Sequence, residues 1–321
     1  QAKLIKNRRD GKTIFYSLHV PFFFILSGIL FSPGRPVEHI TKRFFRLIVP
    51  YVLYSVLSLP YYVCISTDLS VSELIRKIWF FDGIPVWNGP LWFLPVLFVV
   101  DVVFCLLWAV FSKLRKNETG GAKSGQFLCT FLFLGVLIAG AYFAGLWFEH
   151  KGIQRYFLFG LNKAVLMLGF YAFGVLLRQL GTVGGEAKLS LRWKIGLSVF
   201  LVLFSVAALL LHGENTPSPI SFAYNGKLWA YFPLACGGSL ALLLLFRGTR
   251  VPYAVELLSR HSLFIMATHY FLLEIWKKIP SGGGNAVLVQ LAEAAATMVI
   301  YICILALYEM MQRKTKCVAS L

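Results

Sequence analysis

Arg43 and Arg46 stand three residues apart in KRFFRLIVPY, where an apolar run begins. Residues at that spacing share a helix face. At a helix N-terminus the free N–H groups and the dipole also favour anions. Paired guanidinium forks suit phosphates better than ammonium groups do. The pair therefore reads either as a site for a phosphorylated ligand or as positive charge anchoring a membrane face. His19 opens the preceding apolar run, just before Pro21. An imidazole there can take a proton from a hydroxyl near neutral pH, or bond an interfacial carbonyl. His269 lies mid-run in RHSLFIMATHYFLL, and ionisable groups inside a span usually face a polar interior and mark function. Ser262, one heptad earlier, is expected on the same face. Asp101 is also mid-run and needs a partner or water, which an arginine such as Arg46 would supply. Ser27-Gly28 reads as a close helix-packing point, since small residues let helices approach. A nucleophilic Ser27 has no visible partner.

The elements that position these residues follow from composition. The chain has 321 residues, 58% hydrophobic and 14% charged, with mean hydropathy +0.72. That is the profile of a polytopic membrane protein. A formal charge of +17 would point to nucleic acid in a soluble domain. Here Lys and Arg fall between apolar runs as cytoplasmic loops do, so no nucleic-acid partner is expected. Nine segments reach the roughly 20 residues a span needs: 14–31, 47–66, 90–111, 127–147, 162–180, 194–212, 227–246, 254–275 and 286–311. Lipid offers the backbone no partners, so each must be a helix. The expected fold is all-α, a transmembrane helix bundle forming a single domain over residues 1–321, with the lipid bilayer as partner.

Loop charge sets the orientation. The loops holding Arg35, Lys42, Arg43 and Arg46, and those around residues 113–123, 178–194, 247–260 and 313–316, carry most of the Lys and Arg. They should be cytoplasmic, with the C-terminus inside. Nine spans then leave the basic residues 1–12 outside, a poor place for Lys3, Lys6, Arg8, Arg9 and Lys12. An upstream helix, ten in the full-length protein, resolves the conflict, as would a re-entrant first span. SELIRKIWFF in loop 67–89 has the spacing of an interfacial helix. Asn88-Gly89-Pro90-Leu91-Trp92 reads as a helix start with an interfacial tryptophan. Lys163, Lys227 and Glu309 are expected to snorkel from span ends. Five of the six cysteines lie in apolar runs without metal-ligand spacing and read as small buried hydrophobes. No metal site is expected.

Four landmarks in order resemble the acyltransferase 3 family of integral membrane acyltransferases: HVPFFFILSGIL at 19–30, KRFFRLIVPY at 42–51, GPLWFLPVLF at 89–98 and LLSRHSLFIMATHYFLL at 257–273. The style is similar to that of members that acetylate sugars. The resemblance implies ten core helices, acetyl-CoA or another acyl-CoA as donor from the cytoplasm, and a sugar or polysaccharide hydroxyl as acceptor. It assigns Arg43 and Arg46 to the coenzyme A end. It places His19 and His269, the catalytic candidates, and Trp92, a candidate for sugar stacking, near the reaction path. It also implies that the family's main catalytic histidine belongs to a first helix preceding this chain, with His19 on the second. A different class remains open: a transporter or flippase for a polar envelope precursor, with Asp101 and His269 inside the membrane. The lack of an internal repeat argues mildly against it.

Overall fold

The computed structural model describes residues 18–65, 70, 72, 88–117, 123–151, 161–181, 190–212, 227–278 and 286–319. Every described element is helical. Helix α1 spans Leu18–Ile29. Helix α2 (Pro36–Arg43) runs through a π turn, Phe44–Ile48, into α3 (Val49–Ile65). A 3₁₀ turn, Gly89–Trp92, opens α4 (Phe93–Asn117), followed by α5 (Lys123–His150), α6 (Leu161–Gln179) and α7 (Leu191–His212). The chain continues through α8 (Leu228–Leu245), α9 (Tyr253–Arg260), α10 (Ser262–Lys278) and α11 (Ala286–Ala319).

Where they are described, the nine apolar segments fall on helix. Among the described residues, five stretches are long and apolar enough to cross a membrane: the 3₁₀ turn with α4, then α5, α6, α8 and α11. The protein is a multi-pass membrane protein by this measure. The expected interfacial helix of loop 67–89 lies almost entirely outside the described residues.

The order of burial places the core. Helix α6 is the most enclosed, with Leu166, Met167, Phe170, Tyr171 and Ala172 all inaccessible. It packs along α5 and α4. The outer helices turn Val136, Phe143, Val202, Leu210 and Met298 outward. Those side chains meet lipid, which supplies no hydrophobic drive for helix association, so close packing must hold the bundle. The closest approach joins α1 to α6. A Cβ added to Gly28 would fall on the carbonyl oxygen of Tyr171, and one added to Gly174 on that of Ile25. The two glycines let the helices meet backbone to backbone. Ser27 beside them donates to Phe23 O at 2.9 Å, consistent with its reading as a packing residue.

Three expectations are corrected. The eighth segment is two helices, because the chain breaks at His261 (φ −106°, ψ 19°). There Arg260 reaches Glu309 at 3.2 Å and His261 lies 3.8 Å from the same carboxylate. Arg260 and His261 fasten the short α9 to α11 instead of continuing one span. Glu309 does not snorkel, since it also accepts from Tyr253 OH at 2.8 Å. Lys163 does not snorkel either, being only 4% exposed. Among the cysteines, Cys105 is buried, but Cys129 and Cys303 lie on outward faces.

Candidate functional site

The π turn aims the cationic end of α2. Pro50 has no N–H, and its ring would press on the carbonyl of Arg46, four residues back. The helix accommodates this by widening, so that Val49 N–H reaches Phe44 O five residues away. Such bulges recur at functional sites. Upstream, Pro36 sits at the first helical position, Glu38 in the first turn, and Lys42 and Arg43 in the last. That order matches the helix dipole.

His39 and Arg43 are one turn apart, and both meet Asp101 of α4. His39 Nε2 is 2.6 Å from Asp101 Oδ2, and Arg43 Nε is 3.0 Å from the same oxygen. Tyr171 of α6 donates its hydroxyl to Oδ1 at 2.5 Å. The carboxylate only accepts, which puts the His39 proton on Nε2. Asp101 is 1% exposed, and a buried carboxylate persists only when paired and hydrogen-bonded. Hydrogen bonds from His39 and Tyr171 and the ion pair with Arg43 meet that condition. The partner of Asp101 is therefore Arg43, with His39 and Tyr171, and not Arg46. Arg46 lies exposed in the π turn, where the wider turn separates it from the inward-turned Arg43. Phe31 closes over the network, its ring 5.5 Å from His39, 6.2 Å from Tyr171 and 5.0 Å from Phe104. Arg178, in the last turn of α6, donates to the Phe31 carbonyl and holds that lid.

A second polar cluster gathers near the opposite ends of the same helices. Trp92 is buried beneath Lys163, whose Nζ lies 5.4 Å from the ring centroid. A desolvated cation on an indole face is worth about 2 kcal/mol. Asn88 is fully buried and donates Nδ2 to Ala267 O at 2.9 Å. This ties the 3₁₀ turn to α10, two residues before His269. The His269 Nδ1 faces the carbonyls of Met266 and Ile265 at 2.9 and 3.1 Å. Carbonyls only accept, so Nδ1 holds the proton and Nε2 is the basic nitrogen. His19 lies within electrostatic reach of His269 and sets its ring edge on Phe23 at 5.1 Å. Phe23 in turn contacts Phe93, next to Trp92, at 5.7 Å. Ser262, by contrast, is exposed at the start of α10.

Asn88→Ala is expected to lower the unfolding midpoint in detergent, at a cost of about 1–3 kcal/mol for the stranded carbonyl. An unchanged midpoint would mean the tie to Ala267 contributes nothing.

Thus the structure places His19 within electrostatic reach of His269, with Trp92 on the same side, and sets Arg43 apart from them. Along α4, Trp92 and Asp101 are separated by about 13 Å at the helical rise. Helix α6 repeats the layout with Lys163 and Tyr171, and α1 with His19 near one end and Phe31 beyond the other. Sequence reasoning missed His39, Tyr171 and the burial of Lys163. The available signal for His39 was its spacing of four from Arg43, combined with a mid-span carboxylate that required cations.

A bundle of membrane-spanning helices with a buried cationic network toward one end and a histidine–tryptophan cluster toward the other defines an integral membrane protein with a polar interior. A family model described as an acyltransferase domain matches residues 3–309, and the chain belongs to that family, acyltransferase 3. No curated protein and no solved structure gives a significant match.

Proposed function

We propose that this membrane acyltransferase transfers an acetyl group from acetyl-CoA to a hydroxyl of a cell-envelope sugar or polysaccharide. The observation that carries the reading is the Asp101-held guanidinium of Arg43 at the cationic end of α2, with a basic imidazole nitrogen across the bundle. Arg43, with the exposed Arg46, receives the coenzyme A phosphates at the cytoplasmic face. Arginine forks match phosphate oxygens, and two together favour a polyanion. The thioester lies between the helices, away from bulk water. The acceptor hydroxyl enters at the Trp92 end, where the indole offers a sugar a flat apolar face.

Transfer needs a base for that hydroxyl. A histidine fills the role: His269 through Nε2, with His19 beside it, or the histidine that the family resemblance places on a preceding helix. The base takes the hydroxyl proton as the oxygen attacks the thioester carbonyl. The carbon–sulfur bond then breaks, and the coenzyme A thiolate leaves and is reprotonated. The C-terminus is cytoplasmic in this arrangement, and the protein lies in the cytoplasmic membrane.

The test is equilibrium binding of labelled acetyl-CoA to the chain in detergent, beside an Arg43→Ala/Arg46→Ala variant. Saturable binding, weakened at least about a hundredfold by loss of two charge-assisted contacts, is expected. Equal affinity of the two proteins would sink the donor-site assignment. A transporter would leave its substrate chemically unchanged, whereas this enzyme releases free coenzyme A.

A further inference from the structure

We propose that Asp101 is a positioning residue for the acyl donor: it holds the Arg43 guanidinium by Nε so that the Nη edge is presented to the donor's phosphates. This rests on the donor-site reading above and extends it to residues on α2, α4 and α6.

The geometry separates the two edges of the guanidinium. Asp101 Oδ2 forms an ion pair with Arg43, its nearest approach being to Nε at 3.0 Å. An arginine has five N–H donors in a rigid planar fork, so this contact leaves the four Nη hydrogens for another acceptor. The Arg43 side chain is 21% exposed while Asp101 is 1% exposed. A buried carboxylate thus pairs with a side chain that keeps partial access to the outside. Asp101 is itself fixed from both oxygens, by His39 at 2.6 Å and by Tyr171 at 2.5 Å. His39 shares α2 with Arg43, and Tyr171 lies beside the close crossing of α1 and α6. The carboxylate is thereby locked to two rigid elements. A long side chain that would otherwise sample many rotamers is held in one orientation before the ligand arrives, which lowers the ordering cost of binding.

A carboxylate beside a guanidinium also opposes the attraction of a second anion, so the sign of its effect is itself a test. If orientation dominates, removing the carboxylate weakens donor binding. If charge competition dominates, removal tightens it. A purely architectural ion pair would change stability and leave affinity alone.

The experiment is labelled acetyl-CoA binding to the detergent-purified chain as four proteins: unaltered, Asp101→Asn, Arg43→Ala, and both changes together. Each is checked for monodispersity and unfolding midpoint. Asp101→Asn keeps the shape and a hydrogen-bond acceptor, and Tyr171→Phe is the milder companion if it folds poorly. Asp101→Asn is expected to weaken binding about tenfold, one charge-assisted contact's worth. In the Arg43→Ala background the same change is expected to do nothing further, because Asp101 acts through Arg43. Tyr171→Phe should weaken binding by a smaller factor of about three. Unchanged or tighter binding in Asp101→Asn would overturn the proposal, as would equal weakening with and without Arg43. If Arg43→Ala itself leaves acetyl-CoA binding intact, the donor-site reading fails first, and that result is distinct from the other three.

Discussion

Alanine at Gly28 is expected to leave little folded protein. The added Cβ would meet the Tyr171 carbonyl oxygen far inside contact distance and Val175 N at 3.2 Å. Both neighbours are backbone, so no rotamer change relieves the clash, and α1 would have to move off α6. Overpacking of an ordinary core costs about 1–3 kcal/mol, and a backbone-to-backbone clash has less room to relax. Gly174→Ala should fail in the same way, against the Ile25 carbonyl. The measurement is the monodisperse yield and unfolding midpoint in detergent. Gly135→Ala and Gly140→Ala are the controls: both positions are open around an added Cβ. There alanine should be neutral or stabilising by up to about 1 kcal/mol, the helix-propensity difference. A near-normal midpoint for Gly28→Ala would mean that the crossing is looser than its geometry.

The second large effect separates the two arginines. Arg43→Ala should destabilise the protein by about 3 kcal/mol, since it strips one partner from a buried ion pair. Arg46→Ala should leave the midpoint within about 0.5 kcal/mol, as exposed substitutions usually do. Both should weaken acetyl-CoA binding under the proposed function. Thermal unfolding of the single variants, followed by binding, resolves the two contributions. Equal midpoints for the two variants would show that Asp101 does not depend on Arg43. The contrast was invisible at the level of spacing, where the two arginines looked equivalent.

Much of the architecture was legible because lipid imposes one rule, continuous apolar helix, on every crossing segment. The helical nature of the apolar segments, the packing role of Gly28 and the turn at Asn88–Trp92 that opens α4 all follow from local patterns. What escaped depended on non-local geometry. Nothing near Arg43 announces that Asp101, on another helix, will select it over Arg46. The π turn that decides the matter arises from Pro50, a residue easily read as an ordinary helix start. The break at His261 was hidden because α9 and α10 together look like one apolar run, and only Glu309 on the distant α11 explains the interruption. Lys163 sits where a snorkelling lysine would, and its burial depends on Trp92 lying opposite.

The Gly28–Gly174 contact has a mechanical consequence. Two helices touching through bare backbone cannot slide past one another, but they can rock about the point of touch. That point lies beside Tyr171, at the level of the Asp101 network, while His19 stands about two and a half turns away along α1. The contact is a fulcrum set off-centre: the same small rocking angle barely stirs the network and swings His19 farthest. We therefore expect spin labels near His19 and on α6 to report a broad spread of distances, and labels flanking the contact a narrow one. Equal spreads would contradict the pivot. A bundle hinged in this way keeps the Asp101 network rigid and concentrates its motion around His19.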